Sequence, residues 1–221
     1  MLLIILATTD FHGDIMALRR TALKASQNDV SVVIVCGDIT HFGSLQRARE
    51  LLSILNSAPC PVLFVPGNCD PPELAEENIE AIECLHGKCR QIDNINFFGA
   101  GGSSPTPLDT PFELSETEIA DILKQGFEAC QNKCKTVLVS HSPPKNTSLD
   151  ITFTGEHVGS SSVKEFIEKK SPQLVLCGHI HEAVGVDKIK HTIVVNPGPA
   201  RHGQCVLIEL SEKVNAKFTR L

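Results

Sequence analysis

Two imidazole side chains, His179 and His181, stand at alternating positions directly after an apolar segment, residues 174–177. In an extended backbone, residues i and i+2 point to the same side, so these two rings can bind metal. A lone His-X-His after a buried strand is more often a polar turn. Taken alone, this segment leaves both interpretations open.

Four further groups of polar residues follow apolar segments in the same way, namely Asp10-Phe11-His12, Gly37-Asp38, Gly67-Asn68-Cys69-Asp70 and Ser140-His141. Open α/β sheets build their ligand sites at the carboxyl ends of their strands. Five groups with this placement therefore favour one shared site at the edge of a sheet over five unrelated turns.

The spacing of apolar residues predicts the elements that position these groups. We expect strands at residues 2–8, 30–36 and 61–66, joined by helices at 13–27 and 44–56 in a right-handed parallel run. The next segments predict a short acidic helix at 71–85, one or two short strands at 91–99 and an irregular loop at 101–111. Ser115 and Glu118 form a capping box that opens a helix at 115–130.

The second half of the chain repeats the pattern and then changes. We expect a strand at 136–139, a helix at 160–170 and a strand at 173–177. Four short strands then follow, predicted at 183–187, 190–195, 204–210 and 213–219. Their short spacing is typical of an antiparallel meander, which indicates a second sheet.

The chain has 221 residues, a length that predicts one domain over residues 1–221. Its net charge of −6 argues against a broad basic face for duplex nucleic acid. We expect a cytoplasmic protein, because no apolar segment is typical of a signal peptide or a membrane span. The odd count of nine cysteines favours mostly buried thiols. The pairs Cys84/Cys89 and Cys130/Cys134 are close enough in sequence to leave disulfides open.

In order and rough spacing, the five groups resemble the calcineurin-like metallophosphoesterases, and most closely their small prokaryotic phosphodiesterase branch. Asn196-Pro197-Gly198 fits the end of the same pattern. The resemblance implies an α/β fold, a four-layer α/β/β/α sandwich of two mixed sheets flanked by helices. It also implies two divalent metal ions, the first held by Asp10, His12 and His181, the second by Asn68, His141 and His179, and both bridged by Asp38.

Two cations roughly 3.5–4 Å apart neutralise the anionic oxygens of a phosphate ester and lower the pKa of a bound water, so that a bridging hydroxide can attack phosphorus. The nitrogen and oxygen donors suit manganese, iron, zinc, nickel or cobalt, and manganese is the favoured occupant. The residues expected to take part in catalysis are Asp38, Asn68, Cys69 and Asp70, with Asp70 orienting the loop around Asn68.

Cys69 departs from the pattern, because many members of the resembled family have histidine between the Asn and the Asp. A thiol is a weak hydrogen-bond donor and a poorer general acid than imidazolium. The branch with cysteine here resembles diester hydrolases, so Cys69 favours a phosphodiester substrate. A small residue that fills the turn is the alternative interpretation.

The expected function is hydrolysis of a small phosphodiester, with cyclic nucleotides as one substrate class. The alternatives are a phosphomonoesterase, a protein phosphatase, a nuclease or a non-catalytic binding scaffold of the same fold. The expected partner is a small phosphate ester, with no membrane and no bulk nucleic acid, and a homodimer remains open. His41, His157 and Arg201 are candidate substrate contacts, with surface positions as the alternative.

Overall fold

The computed structural model describes residues 2–130 and 134–221. The strands in these ranges are β1 Leu3–Thr8, β2 Val32–Val35, β3 Val62–Phe64, β4 Asn78–Ile79, β5 Ile82–Cys84, β6 Cys89–Ile92, β7 Ile95–Ala100, β8 Lys135–Ser140, β9 Leu174–Leu176, β10 Gly185–Ile189, β11 Thr192–Asn196, β12 Gln204–Leu210 and β13 Val214–Arg220. The α-helices are α1 Ile15–Gln27, α2 Leu45–Ser53, α3 Glu116–Glu128 and α4 Ser161–Lys170. Short 3-10 helices span Ile54–Ser57, Pro72–Glu76 and Ala200–His202.

The strands form two mixed sheets. The seven-stranded sheet has the order β13-β12-β1-β2-β3-β5-β4, in which β1, β2, β3 and β5 run parallel. The six-stranded sheet has the order β10-β11-β9-β8-β7-β6, in which β11, β9, β8 and β7 run parallel. The predicted parallel run of the first three strands is confirmed.

Three apolar cores separate four layers. Along β1, Ile5 and Ala7 face the core between the two sheets, whereas Leu6 faces the core that holds Leu18 of α1 and Leu52 of α2. A third core joins the six-stranded sheet to α3 and α4. Because successive residues of a strand point to opposite faces, each central strand supplies two cores at once. The predicted α/β/β/α sandwich is confirmed.

Side-chain caps set the start of the helices. The carboxylate of Asp14 accepts hydrogen bonds from the backbone N–H groups of Met16 and Ala17 at the first turn of α1. At α3 the predicted capping box is present, with Ser115 and Glu118 hydrogen bonded to each other's backbone. Such caps satisfy N–H groups that lack partners within the helix.

Two predictions of secondary structure are wrong. Residues 71–85 do not form an acidic helix, since a 3-10 turn is followed by β4 and β5, and Ile82 pairs with Val62 of β3. The four C-terminal strands do not form one meander. Strands β10 and β11 extend the six-stranded sheet, whereas β12 pairs antiparallel with β1 in the other sheet.

All nine cysteines are free thiols, and five of them are buried, which confirms the expectation of mostly buried thiols. Of the two pairs that the sequence left open, neither is bonded. The Cys130 thiol instead donates to Gly126 O at 3.4 Å. None of the helices in the described ranges is both long enough and apolar enough to cross a membrane.

Candidate metal centre

The polar groups singled out in the sequence meet at the carboxyl ends of strands from both sheets. Asp10 and His12 follow β1, Asp38 follows β2, and Asn68 follows β3, all in the seven-stranded sheet. The six-stranded sheet supplies the remaining three side chains, those of His141 after β8 and of His179 and His181 after β9. The candidate site therefore draws on both sheets and lies where their edges meet.

Asp10, His12 and His181 form one compact group. The Nε2 atoms of His12 and His181 lie 3.1 Å apart. The Oδ1 atom of Asp10 lies 3.4 Å from His181 Nε2 and 4.0 Å from His12 Nε2. One cation at this point could therefore reach a donor atom of each residue.

The carboxylate of Asp38 lies between this group and a second one. Its Oδ2 atom is 3.6 Å from His12 Nε2, and its Oδ1 atom is 3.5 Å from His141 Nε2. His141 Nε2 also lies 2.8 Å from Asn68 Oδ1, and the ring of His179 is 5.1 Å from that of His141. The two oxygens of Asp38 thus face different histidines, which is the arrangement that a bridging carboxylate requires.

Four of these seven residues have backbone angles in the left-handed region: φ is 55° at Asp10, 46° at His12, 52° at Asp38 and 71° at His179. This region is uncommon for residues with a side chain, and such strain concentrates at functional sites. Backbone hydrogen bonds hold the strained turns, from Asp10 N to Gly37 O at 3.0 Å and from His12 N to Asp38 O at 2.8 Å.

Glycines let the turns approach one another closely. A Cβ atom at Gly67 would lie 2.0 Å from Asp38 Oδ1, and one at Gly178 would lie 2.0 Å from Thr9 Oγ1 and 3.0 Å from Asp10 Oδ2. Real Cβ atoms essentially never make contacts shorter than 3.0 Å. A side chain at position 67 would therefore displace the Asp38 carboxylate, and one at position 178 would displace the side chain of Thr9 beside Asp10.

Asp70 ties two of the turns together. Its buried carboxylate accepts hydrogen bonds from the backbone N–H groups of Ile39, Thr40 and Gly67 at 2.7–3.0 Å. Burial raises the pKa of Asp70, although these N–H groups act in the opposite direction. Asp70 thus joins the turn after β2 to the turn after β3, and its role in orienting the loop around Asn68 remains a prediction.

Burial and mutual charge shift the acid–base properties of the site. For Asp10, burial raises the pKa, but the close approach of His181, at 3.4 Å, and the charges of nearby histidines outweigh it and bring the pKa to about 2. Burial raises the pKa of Asp38 to about 6. Burial also lowers the pKa of both His12 and His179 to about 3. Both rings are therefore neutral at pH 7 and keep a lone pair for a metal.

The residues present fit divalent cations. Among the described residues, neither carboxylate oxygen of Asp10 nor Nδ1 of His12 has a hydrogen-bond partner, although all three atoms are buried. Buried polar atoms without partners are costly and rare, and a bound cation would satisfy the Asp10 oxygens. Potential ligand atoms of Asp10, His12 and His181 lie within 4.8 Å of one another, as do those of Asp10, Asp38 and His141.

Cys69 and two of the predicted substrate contacts border this centre. The backbone N–H of Cys69 donates to Asp38 Oδ1 at 2.9 Å, and burial followed by the charge of Asp38 raises the pKa of its thiol. The ring of His41 lies 5.3 Å from that of His12. Arg201 Nη2 lies 3.2 Å from Nδ1 of His181.

His157, the third predicted substrate contact, has a different partner. Its Nδ1 atom lies 2.7 Å from Oδ1 of Asp150, a buried carboxylate that also accepts backbone hydrogen bonds from Asn146, Thr147 and Gly159. This arrangement places His157 in the network that shapes its own loop. Its contact with substrate remains a prediction.

Two residues beside the centre were not predicted from the sequence. Thr110 and Glu113 lie in and just after the irregular loop at 101–111, and Thr110 Oγ1 accepts a hydrogen bond from Nδ2 of Asn68 at 3.1 Å. Glu113 in turn accepts hydrogen bonds from Thr110. The only signal in the sequence was the irregular composition of the loop, which does not single out either residue.

The fold and the candidate metal-binding groups are typical of a metal-dependent phosphoester hydrolase. A family model of the calcineurin-like phosphoesterases matches residues 3–183, and the chain belongs to this dimetal-dependent family. The recognition made from the motifs is thereby confirmed.

Individual proteins show the same similarity. An uncharacterized protein of Methanocaldococcus jannaschii is 41% identical over 199 residues, which cover 88% of each chain. A protein of Fibrobacter succinogenes, named a probable cyclic nucleotide phosphodiesterase, is 22% identical over 180 residues, 78% of this chain and 66% of its own. A crystal structure from Thermus thermophilus has a TM-score of 0.79 at 20% identity, covering 100% of this chain and 99% of that one.

Proposed function

We propose that this chain is a cytoplasmic phosphodiesterase that hydrolyses a small phosphodiester, with a cyclic nucleotide as one substrate class, using two divalent metal ions. Asp10, His12 and His181 would hold the first ion, and Asn68, His141 and His179 the second, with Asp38 shared between them. When bound, the ions supply charge neutralisation for phosphate oxygens and a nucleophilic hydroxide near neutral pH.

The observation that carries this proposal is the Asp10 carboxylate, which is buried without a hydrogen-bond partner among the described residues and faces histidines on two sides. A carboxylate in such a place needs a positive charge beside it. Burial keeps His12 neutral. Burial also lowers the pKa of His181, but Asp10 outweighs this and raises it, so a protonated His181 supplies part of that charge. A bound cation would replace this proton and satisfy the donor atoms of all three residues. The nitrogen and oxygen donors suit manganese, the ion that we favour.

Other residues of the chain would act on the substrate. Arg201 lies against His181, and a guanidinium presents several N–H donors, so we assign it to a phosphate oxygen. Cys69 would donate its S–H to the phosphoryl group, because its pKa is raised and the thiol keeps its proton. A weak donor suits a diester more than a monoester, whose leaving group needs stronger protonation. The name of the Fibrobacter relative supports the same preference.

The test is reconstitution with single metals. The full chain is treated with chelator, supplied with manganese, iron, zinc, nickel or cobalt in turn, and assayed on bis-(p-nitrophenyl) phosphate and p-nitrophenyl phosphate. We expect two ions per chain by elemental analysis and faster cleavage of the diester. Faster cleavage of the monoester would favour a phosphomonoesterase, and no cleavage with any metal would favour a binding scaffold.

Asp38→Asn provides the matched variant for this test. Replacing the shared carboxylate by an amide removes its negative charge, and we expect activity to fall by at least about a hundredfold. The control is Asp121→Asn, an exposed position on α3. Full activity in Asp38→Asn would show that the assignment of the bridge is wrong.

A further inference from the structure

The amide of Asn68 is held from two sides. Its Oδ1 atom lies 2.8 Å from Nε2 of His141, and its Nδ2 atom donates to Oγ1 of Thr110 at 3.1 Å. The side chain is buried, with 4% of its surface exposed. An amide has nearly the same shape when its oxygen and nitrogen exchange places, so hydrogen bonds and not packing decide which atom faces His141.

Glu113 fixes the direction of the Thr110 hydroxyl. Glu113 Oε1 accepts hydrogen bonds from Thr110 Oγ1 at 2.6 Å and from Thr110 N at 2.8 Å. A carboxylate has no hydrogen to give, and a hydroxyl has only one. With its hydrogen directed at Glu113, Thr110 can offer Asn68 only a lone pair.

The carboxylate of Glu113 is ionised at neutral pH. Burial raises its pKa, but hydrogen bonds from Thr106 and Thr110 outweigh this effect and bring the pKa to about 2. The side chain of Thr106 donates to the same oxygen at 2.6 Å. Donation therefore runs in one direction, from the amide of Asn68 to Thr110 and from Thr110 to Glu113.

The backbone of the loop reinforces this arrangement. The N–H of Phe112, between Thr110 and Glu113, donates to the carbonyl oxygen of Asn68 at 3.0 Å. The carbonyl of Phe112 accepts in turn from Ser103 N at 3.2 Å. Both the main chain and the side chain of Asn68 are thus attached to one loop, and Thr110 is placed by contacts other than the one it makes with the amide.

We propose that Thr110 and Glu113 are positioning residues that keep the amide oxygen of Asn68 turned toward the cation site. The inference rests on the proposed function, in which that oxygen is a metal ligand. If the amide turned over, its NH2 group would face the site, and an NH2 group cannot bind a cation. Loss of such a supporting contact typically weakens metal affinity by about 10–100-fold.

The experiment compares Thr110→Val, which removes the hydroxyl at nearly constant volume, with Thr110→Ser, which keeps it. The control is Thr192→Val, at the start of β11, where another buried hydroxyl donates to Pro172 O at 2.6 Å. Binding of Mn²⁺ to the chelator-treated full chain is measured by titration calorimetry, and Tm is measured in chelator.

We expect two Mn²⁺ ions to bind the wild-type chain, and one of them to bind Thr110→Val about 10–100-fold more weakly. Thr110→Ser and Thr192→Val should both retain wild-type affinity. If both valine variants lose the same amount of Tm but only Thr110→Val loses affinity for Mn²⁺, the weaker binding is caused by lost positioning of Asn68 and not by lost stability. Wild-type affinity in Thr110→Val, or equal weakening in Thr110→Ser, would overturn the inference.

Glu113→Ala is the second variant, for the case that Thr110→Val does not fold. Alanine offers the Thr110 hydroxyl no acceptor, which frees the hydroxyl hydrogen to turn toward Asn68. We expect a similar loss of affinity for one ion, and unchanged affinity would overturn the inference. A wild-type chain that binds no Mn²⁺ would refute the proposed function and the inference together, whereas wild-type binding with unaffected variants refutes the inference alone.

Discussion

Gly67→Ala is the substitution for which the structure predicts the largest effect from the smallest change. A Cβ atom at position 67 would lie 2.0 Å from Oδ1 of Asp38 and 2.2 Å from its backbone nitrogen, against 3.4 Å or more for an ordinary contact. The Asp38 carboxylate must therefore move by more than 1 Å. Overpacking of this kind costs about 1–3 kcal/mol of folding free energy, and a misplacement of about 1 Å costs on the order of a hundredfold in rate.

The control is Gly126→Ala in α3, where the nearest atom to an added Cβ is Lys88 O at 3.3 Å and helix propensity favours alanine. Mn²⁺ affinity, diester turnover and Tm are measured for both variants and for the wild-type chain. We expect Gly126→Ala to behave like wild type, and Gly67→Ala to lose turnover by about a hundredfold and to bind Mn²⁺ more weakly. Wild-type turnover in Gly67→Ala would refute the reasoning that Asp38 is held in place by the close approach of position 67.

Two further predictions concern the substrate and the stability of the fold. Cys69→His should raise monoester turnover relative to diester turnover by at least about tenfold, because imidazolium is a stronger general acid than a thiol. Cys69→Ala should change diester turnover by a smaller factor. Turnover of p-nitrophenyl phosphate and of bis-(p-nitrophenyl) phosphate measures both effects. Glu116→Gln should lower Tm at pH 7 by about 2–4 °C, which corresponds to about 1 kcal/mol after allowance for partial exposure. For Glu116, burial raises the pKa, but hydrogen bonds from Ser160, Ser161 and Ser162 outweigh it and hold the pKa below its usual 4.5.

The sign of the pH effect follows from this lowered pKa. The ionised Glu116 stabilises the folded chain above pH 4.5, and the contribution is lost as the pH falls through the lower pKa of the folded state. The difference in Tm between Glu116→Gln and wild type should therefore shrink in acid, and a difference that grows would contradict the assignment. Glu128→Gln, at an exposed position in the same helix, is the control. For Cys69, a larger effect of alanine on diester turnover than of histidine on the monoester-to-diester preference would contradict the assignment of the thiol as a weak donor.

Much of the fold and the candidate site could be predicted because both depend on local patterns. Apolar runs that end in Asp, His or Asn predicted where side chains such as Asp38 and His141 would stand, and the parallel order of strands brings strand ends to one edge. The start of α3 could be predicted for the same reason, because Ser115 and Glu118 cap it through contacts three residues apart.

The remaining features depend on contacts between distant residues. Ile79 and Ile82 lie in strands of two and three residues, too short to show alternation, and Ile82 becomes a strand residue through its pairing with Val62. Alternation along residues 204–210 predicts a strand but not that its partner is β1. Likewise, nothing in the spacing of Thr110 and Glu113 indicates that the loop at 101–111 reaches back to Asn68.

The division of the candidate ligands between the two sheets has a thermodynamic consequence. Asp10, Asp38 and Asn68 belong to one sheet, and His141 and His179 to the other, so any unfolding that separates the sheets also disperses the ligands. Under the proposed function, metal binding and folding are therefore linked equilibria. Ions at a hundred times their Kd would add about 2.7 kcal/mol per site to the free energy of unfolding. The concentration of metal ions around the protein would then determine its Tm as well as its rate of turnover.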